Sequence, residues 1–177
     1  MSAPAVRLVP VAVDDAVALH ELLVRNREYL APWSPARDEE WYGLEQQRER
    51  LAAAVAQHGE GSAYYFKIVA GDGAVGRLDL NNVVRGVWRN TNLGYWVAES
   101  ERGRGHATAA VKAAVTFAFS EAGLHRVEAA VMPRNRASLR VVEKAGFRRE
   151  GVAERYLRIN GRWEQHVIHA ITAEEAM

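Results

Sequence analysis

Glycines and arginines alternate within residues 101–110, ERGRGHATAA, immediately before an alanine-rich run. The first turn of a helix offers free backbone N–H groups and about half a unit of positive charge, and glycines beside it let a ligand approach the backbone. Arg102 and Arg104 add charge-assisted donors. The stretch is typical of an anion site that would hold a pyrophosphate, although an ordinary strand-to-helix turn with solvated arginines fits the same letters.

Two other phosphate-binding motifs do not fit this stretch. A P-loop needs Lys and then Ser or Thr directly after its second glycine, but His106 and Ala107 follow Gly105. A dinucleotide fingerprint needs glycine where Thr108 stands, and it belongs to the first strand–helix unit of a parallel sheet. A different phosphate-bearing ligand is therefore expected.

The elements that must position this stretch follow from hydrophobic periodicity and turn residues. The predicted order is a strand at 7–13, a helix at 16–29 with Asp14 and Asp15 as N-caps, a helix at 40–57 ending near Gly59, two strands around the 71–73 turn, a strand at 92–98, a helix at 105–122, a strand at 125–132, a helix at 136–145 and two strands between 148 and 171. Hairpins followed by strand–helix alternation predict an α/β fold with a single mixed, mostly antiparallel sheet flanked by helices. The glycine-rich stretch then follows the 92–98 strand and opens the next helix.

Composition limits the classes of function. A chain of 177 residues with 49% hydrophobic residues predicts one domain, residues 1–177. A net charge of +1 gives no reason to expect nucleic acid or an anionic membrane as partner. The absence of cysteine excludes disulfides, thiolate metal sites and a cysteine nucleophile. With no signal peptide and no long uncharged apolar run, we expect a cytoplasmic protein.

No metal site is expected. Among the six histidines, His166 and His169 are the one close pair, and three positions apart on a strand they point to opposite faces. The sequence also has no zinc-type His-Glu-x-x-His motif.

At residues 102–107, RGRGHA resembles the acyl-CoA signature Arg/Gln-x-x-Gly-x-Gly/Ala of the GNAT superfamily of N-acetyltransferases. Three further segments resemble the RimJ/RimL-like branch, which acetylates the N-termini of ribosomal proteins: RNREYLAPWSP at 25–35, NLGYWV at 92–97 and NRASLRVVEKAGF at 135–147. The resemblance implies the acyl-CoA N-acyltransferase fold, acetyl-CoA as co-substrate and no metal. It implies that the cofactor is bound by Val97, Arg102, Gly103, Arg104, Gly105, His106, Ala107, Thr108, Asn135 and Ser138.

The second signature also has a structural explanation. Asn135 is a good N-cap, and Gly146 stands where a residue with positive φ ends a helix. Ser138 then lies in the first turn, where a serine often bonds its own backbone. The resemblance implies instead that Ser138 protonates the departing CoA thiolate and that Asn135 binds the pantetheine arm. Arg134, Arg136 and Arg140 are either CoA phosphate ligands or solvated surface residues.

The implied reaction is direct attack of a primary amine on acetyl-CoA in a ternary complex, since no residue is an obvious carrier for a covalent acyl-enzyme. The resemblance implies that a backbone N–H near Val97 polarises the thioester carbonyl. Relatives often carry a glutamate base where this chain has Asn92, and Glu154 is the first substitute, ahead of Asp79 and Glu128. An α-amine has a pKa of about 7.7–8.0 and a lysine one of about 10.4, so an α-amine loses its proton without a strong base. A protein N-terminus is therefore the favoured acceptor.

The acceptor site is expected near the first two helices and the tail hairpin. Trp33, Trp41 and Tyr42 flank a proline loop with acidic residues at 38–40, which predicts a partly apolar, acidic rim for a cationic acceptor. Alternatively, the tryptophans pin the loop and the acids cap the second helix. A small-molecule amine (aminoglycoside, polyamine or aminoacyl compound) remains an alternative acceptor, and a non-catalytic acyl-CoA-binding module an alternative function. The chain is expected to be a monomer or homodimer.

Overall fold

The computed structural model describes residues 5–176, which form one seven-stranded sheet with helices on both faces. The strands are β1 (Val6–Pro10), β2 (Tyr64–Ala70), β3 (Gly73–Val84), β4 (Asn90–Val97), β5 (Arg126–Val131), β6 (Arg148–Ile159) and β7 (Arg162–Thr172). The helices are α1 (Ala16–Arg25), α2 (Arg27–Leu30), α3 (Leu44–Glu60), α4 (His106–Ser120) and α5 (Arg136–Lys144). The predicted mixed sheet flanked by helices is confirmed.

The sheet has the order β1-β2-β3-β4-β5-β7-β6. Every neighbouring pair is antiparallel except β4 and β5, which are parallel. A parallel pair needs a crossover connection, and α4 supplies it. The pairing therefore changes from antiparallel to parallel at β4, the strand that the glycine-rich stretch follows.

Parallel pairing of β4 and β5 is short. It covers Asn90↔Arg126 to Asn92↔Glu128 and stops there, although β4 continues to Val97. The last five residues of β4 pair with β3 alone, so an opening separates β4 from β5 at the carboxyl end of β4. This opening sets the position of the site described below.

The two faces of the sheet bury different helices. On one face, α4 contributes Ala110, Ala114 and Ala118, each 0% exposed, to the main core. These small side chains keep the helix close to the sheet. On the other face, Leu19 of α1 and Leu51 of α3 belong to a second, smaller core. Because strand residues alternate between faces, each residue of β4 is assigned to one helical layer or the other.

One predicted helix boundary was wrong, and another was confirmed to within one residue. The helix expected at 16–29 stops at Arg25, because Asn26 bonds backward from its Nδ2 to the Leu22 carbonyl oxygen (2.8 Å). The helix expected to end near Gly59 continues to Glu60, and Gly61, at φ 70°, is the left-handed residue that ends it. Asp15 is the N-cap residue of α1 but makes no side-chain capping bond, and its Oδ1 lies 2.5 Å from Lys67 Nζ.

Candidate active site

A cavity of about 600 Å³ lies at the opening between β4 and β5. We call it the loop cavity, because the glycine loop, residues 101–105, forms one wall. The other walls come from the end of β4, the first turns of α4 and α5, and the aromatic side chains of Tyr29 and Trp33. Three segments far apart in the sequence thus meet at the place where the sheet opens.

The glycine loop presents a row of unused backbone donors. Within the described chain, the N–H groups of residues 103–108 donate to no other group; the first donor that follows is Ala109 N–H, which reaches the Gly105 carbonyl oxygen at 3.0 Å. Gly103 and Gly105 have φ values of 73° and 81°, which residues with a Cβ rarely adopt. This geometry fits a diphosphate, since the donors are adjacent, lie at a helix N-terminus and are not covered by side chains.

The side chains predicted around this loop divide into two groups. Arg102 lines the loop cavity, and its guanidinium lies 5.4 Å from the centre of the Tyr29 ring. His106, Ala107 and Thr108 line it as well. Arg104 is outside the lining, and its guanidinium lies 3.4 Å from a Glu101 carboxylate oxygen. The Arg104 side chain thus interacts with Glu101 within the glycine loop.

The backbone of Val97 faces the opening in the sheet. Ala98 N–H donates to the Val75 carbonyl oxygen of β3 at 2.8 Å. Successive N–H groups of a strand point in opposite directions, so Val97 N–H points away from β3. On that side, pairing with β5 has already ended at Asn92↔Glu128. Val97 therefore offers a free donor in the plane of the sheet, inside the loop cavity.

Ser138 and Tyr95 form a partly buried hydroxyl pair with their oxygens 2.7 Å apart. Asn135 caps α5, and its Oδ1 accepts from Ser138 N–H at 3.1 Å, so the serine backbone is fixed while its hydroxyl bonds Tyr95 in the cavity wall. Burial raises the pKa of Tyr95 to about 12, partly offset by the bond to Ser138. Tyr95 therefore remains a neutral phenol that can donate to Ser138.

Sequence reasoning missed the role of Tyr95. It lies 43 positions from Ser138 in the chain, and the two meet because Tyr95 points to the α5 side of the sheet. Alternation along β4 puts Tyr95 on the same face as the buried Leu93, and that pattern was the available signal.

Of the three arginines considered as phosphate ligands, Arg140 alone lines the loop cavity. Lys144, one turn further along α5, joins it there and was not predicted. Arg134 instead donates to Glu164 Oε1 at 3.1 Å and lies over the Trp33 ring. Arg136 is not part of the lining. The helix thus directs two cations, four positions apart, toward the cavity.

A second cavity of about 460 Å³ lies on the opposite face of the sheet, between β2–β4 and the helices α1 and α3. We call it the arginine cavity, after the four arginines in its wall: Arg27, Arg37, Arg50 and Arg77. Leu30, Ser34 and Trp96 line both cavities. The two cavities therefore approach each other beside the end of β4, one from each face.

Among the described residues, Asp79 is the sole carboxylate in the wall of the arginine cavity. It accepts from Arg77 Nη2 at 3.1 Å, and its side chain is 28% exposed. Burial raises the pKa of Asp79, while the neighbouring Arg77 opposes that rise. A carboxyl group with a raised pKa, facing a cavity, is suited to receive an amine and its proton.

The other candidate bases lie elsewhere. Glu154 is exposed, lines neither cavity, and belongs to a stretch of β6 where the pairing with β7 is interrupted between Ala153 and Leu157. Glu128 accepts from Arg126 Nε at 2.8 Å and lines neither cavity. The structure thus brings Ser138, Val97 and the glycine loop together but leaves Glu154 apart from them.

The predicted acidic rim differs from what the structure shows. Glu39 is paired with Arg27, and Asp38 accepts from Trp41 N–H at 2.9 Å, so both acids are occupied locally. Trp41 and Tyr42 do line the arginine cavity, whereas Trp33 lines the loop cavity. The sequence could not show this, because the four arginines of the wall come from separate segments: Arg27 of α2, Arg37 of the proline loop, Arg50 of α3 and Arg77 of β3.

No cluster of three or more potential metal-binding side chains occurs among residues 5–176. Over the same range, none of the helices combines the length and the apolar character needed to span a bilayer.

Comparison with known proteins identifies the family. The model of the acetyltransferase (GNAT) domain matches residues 5–148. The chain is 38% identical over 164 residues to the Bacillus subtilis (strain 168) protein named "Probable N-acetyltransferase YjcK", covering 92% of this chain and 91% of that protein. It is 34% identical over 163 residues to the ribosomal protein uS5-alanine N-acetyltransferase of Escherichia coli (strain K12), covering 91% of this chain and 84% of that enzyme.

Solved structures agree with these relatives. Mycobacterium smegmatis RimJ in complex with CoA-disulfide superimposes with a TM-score of 0.93 at 36% identity, covering 98% of this chain and 84% of that one. The predicted RimJ/RimL-like resemblance is thereby confirmed. The chain belongs to the GNAT acetyltransferase family and is an acetyl-CoA-dependent N-acetyltransferase.

Proposed function

We propose that residues 1–177 act as one acyltransferase domain that acetylates the N-terminal α-amine of a protein. The observation that carries the proposal is the pair of cavities that meet at Trp96 from opposite faces of the sheet. One is built for a diphosphate, and the other is roomy enough for an extended peptide end. Similarity to the uS5-alanine N-acetyltransferase supports a ribosomal protein as the acceptor.

Acetyl-CoA supplies the activated thioester. The free N–H groups of residues 103–108 would hold its diphosphate, with Arg102, Arg140 and Lys144 as further donors at the rim. Asn135 uses its Oδ1 to cap α5, so only its Nδ2 remains for the pantetheine arm. Backbone donors are the larger part of this site, because they are fixed by the fold and lose no side-chain entropy on binding.

Val97 N–H would polarise the thioester carbonyl. It is a preorganised donor with no partner in the sheet, directed into the opening where the two cavities approach. Such donors stabilise charge that develops in the transition state without reorganising.

Ser138 would donate a proton to the departing thiolate. The Ser138 hydroxyl would then take a proton from Tyr95, which is protonated at neutral pH because its pKa is raised to about 12. As Ser138 gives its proton to sulfur it takes one from Tyr95, and the resulting phenolate regains a proton from solvent water.

The amine must be neutral when it attacks. An α-amine is partly neutral near pH 7, so water and Asp79 in the wall of the arginine cavity suffice to take up its proton. Glu154 stays a predicted base that would have to act through water from outside the two cavities.

The charge of the arginine cavity is unfavourable for a polycationic acceptor. Two of its four arginines, Arg37 and Arg50, have no carboxylate at ion-pair distance among the described residues, so they repel polyamines and aminoglycosides, which carry several positive charges. A singly charged α-amine at the end of a peptide meets less repulsion.

Release of the CoA thiol from acetyl-CoA tests the proposal. We expect turnover with peptides that have a free N-terminus, and none with the same peptides N-formylated but carrying an internal lysine. The rate should follow a group titrating near the α-amine pKa of about 8 rather than near about 10.4. Turnover with polyamines or aminoglycosides and none with peptides would overturn the acceptor, and cofactor binding without turnover on any amine would favour a non-catalytic module.

A further inference from the structure

The arginine cavity carries positive charge that the protein does not balance. Arg27 is paired with Glu39, and Arg77 with Asp79. For Arg37 and Arg50, no carboxylate within residues 5–176 lies at ion-pair distance. Two guanidinium groups in the wall of one cavity are therefore available to a ligand.

These two arginines converge on one tryptophan. Arg37 lies 5.1 Å and Arg50 4.9 Å from the centre of the Trp41 ring. Trp41 is held in turn by Gln47, whose Nε2 donates to the Trp41 carbonyl oxygen, and by edge-on contact with Tyr42. The stacking places both guanidinium groups in a defined region rather than leaving them free in solvent.

A buried donor accompanies them. Trp41 Nε1 is buried and has no hydrogen-bond partner within the described part of the chain, and neither does Arg77 Nε. Buried donors are normally satisfied, so two unsatisfied ones beside the same cavity indicate that an acceptor atom is supplied from outside the chain.

The arginines also repel one another. Burial lowers the pKa of Arg50, and the charges of Arg37 and Arg77 lower it further, whereas Asp79 and Tyr65 act in the opposite direction. An anion bound between Arg37 and Arg50 would reduce this repulsion and gain charge-assisted hydrogen bonds.

We infer that the arginine cavity selects protein N-termini that carry an acidic side chain within the first few residues, with its carboxylate held by Arg37 and Arg50. This inference rests on the proposed acceptor class. The α-amine enters toward Trp96, where the two cavities approach, while the acidic side chain stays near Trp41. Charge complementarity of this kind sets specificity and association rate more than it adds total affinity.

A peptide series with fixed length and N-terminal alanine tests the inference. Glutamate is placed at position two, three or four and compared with glutamine and lysine at the same position. We expect kcat/KM for the best glutamate peptide to exceed that of its glutamine counterpart by about tenfold, through KM, with lysine lower still. The advantage should shrink as salt is raised, because the contacting charges are partly exposed.

Variants assign the effect to the two arginines. The R37Q/R50Q double variant should remove the preference for glutamate, and R50E should favour the lysine peptides. Arg48→Gln is the matched control, because Arg48 lies on the same helix, pairs with Glu45 and is outside the cavity wall. Thermal unfolding of each variant checks that the fold is intact.

The outcomes separate this inference from the proposed function. Equal rates for glutamate and glutamine peptides at all three positions would overturn the inference while leaving N-terminal acetylation in place. A preference that survives in R37Q/R50Q would overturn the assignment to these arginines. If free glutamate or another small anionic amine is acetylated and no peptide is, the proposed acceptor class fails and this assignment fails with it.

Discussion

The loop cavity and the arginine cavity meet at Trp96 but are built from different parts of the chain. The loop cavity depends on main-chain groups: six adjacent N–H donors at residues 103–108 and the N–H of Val97. The arginine cavity depends on side chains contributed by α1, α2, α3, the segment 31–42 and the strands β2 to β4. Main-chain donors are the same whatever the side chains are, so one cavity is suited to an invariant ligand and the other to an acceptor that can differ between relatives.

The largest expected effect is on acetyl-CoA binding in the loop cavity. Gly105→Val forces a β-branched residue into φ 81° and places its side chain beside the free N–H row, so we expect acetyl-CoA affinity to fall at least about a hundredfold. Isothermal titration calorimetry measures this directly.

Gly71→Val is the control for backbone strain. Gly71 has φ 60° in the β2–β3 turn, away from both cavities, so this variant should lose comparable stability and keep its affinity for acetyl-CoA. Equal loss of affinity in both variants would show that strain alone, rather than the loop's donors, explains the effect.

Ser138→Ala should separate chemistry from binding. We expect kcat to fall about a hundredfold with little change in acetyl-CoA affinity, because a proton donor to the leaving group is lost while the main-chain donors remain. Stopped-flow measurement of CoA release gives kcat.

Ser120→Ala provides the comparison for Ser138→Ala. Ser120, at the end of α4, uses its hydroxyl only to bond the Thr116 carbonyl oxygen, so this variant should turn over normally. A Ser138→Ala enzyme with unchanged kcat would remove the serine from the mechanism.

Tyr95→Phe should reduce kcat about tenfold, less than loss of Ser138, because the serine hydroxyl remains to act through water. The substitution should also change how the stability of the protein depends on pH. The folded pKa of Tyr95, about 12, exceeds its ordinary value of 10.0. Its neutral form is therefore favoured by folding, and this stabilisation is complete below pH 10 and lost as pH rises toward 12.

Urea unfolding between pH 9 and 12 measures how the free energy of unfolding depends on pH. The wild type should lose stability over this range more steeply than Tyr95→Phe. Parallel curves would show that the tyrosine is not buried as described.

The smallest effect concerns residues outside both cavities. Burial lowers the pKa of His166 and His169 on β7. Folding favours their neutral forms, so the stability they contribute is complete above the ordinary pKa of 6.5 and is lost as pH falls through the lowered values.

Urea titrations from pH 7 to pH 5 should show this loss, and His169→Gln should flatten it. Acetyl-CoA affinity should not follow the same titration, since neither histidine lines a cavity. A different result would contradict this prediction: acetyl-CoA affinity and the free energy of unfolding would change over the same pH range in the wild type but not in His169→Gln. That result would show that the loop cavity is coupled to β7.

Prediction from the sequence succeeded where the interactions are local. Asn135 caps the helix it precedes, Gly146 ends that helix, and the glycine loop leads into the first turn of α4 as expected. It failed where partners are distant: Tyr95 reaches Ser138 across the sheet, and Arg50 and Arg77 change the charge of a cavity that was expected to have an acidic rim.

The sequence by itself determined the glycine loop, the Asn135 cap and the order of the main elements, because φ preferences and short-range hydrogen bonds depend mainly on neighbouring residues. Only the tertiary structure decided that β4 and β5 separate after Asn92, that two cavities meet at Trp96 and that one of them is positive. Pairing distance and electrostatic potential are sums over groups far apart in the chain, and only the folded arrangement sets their separations.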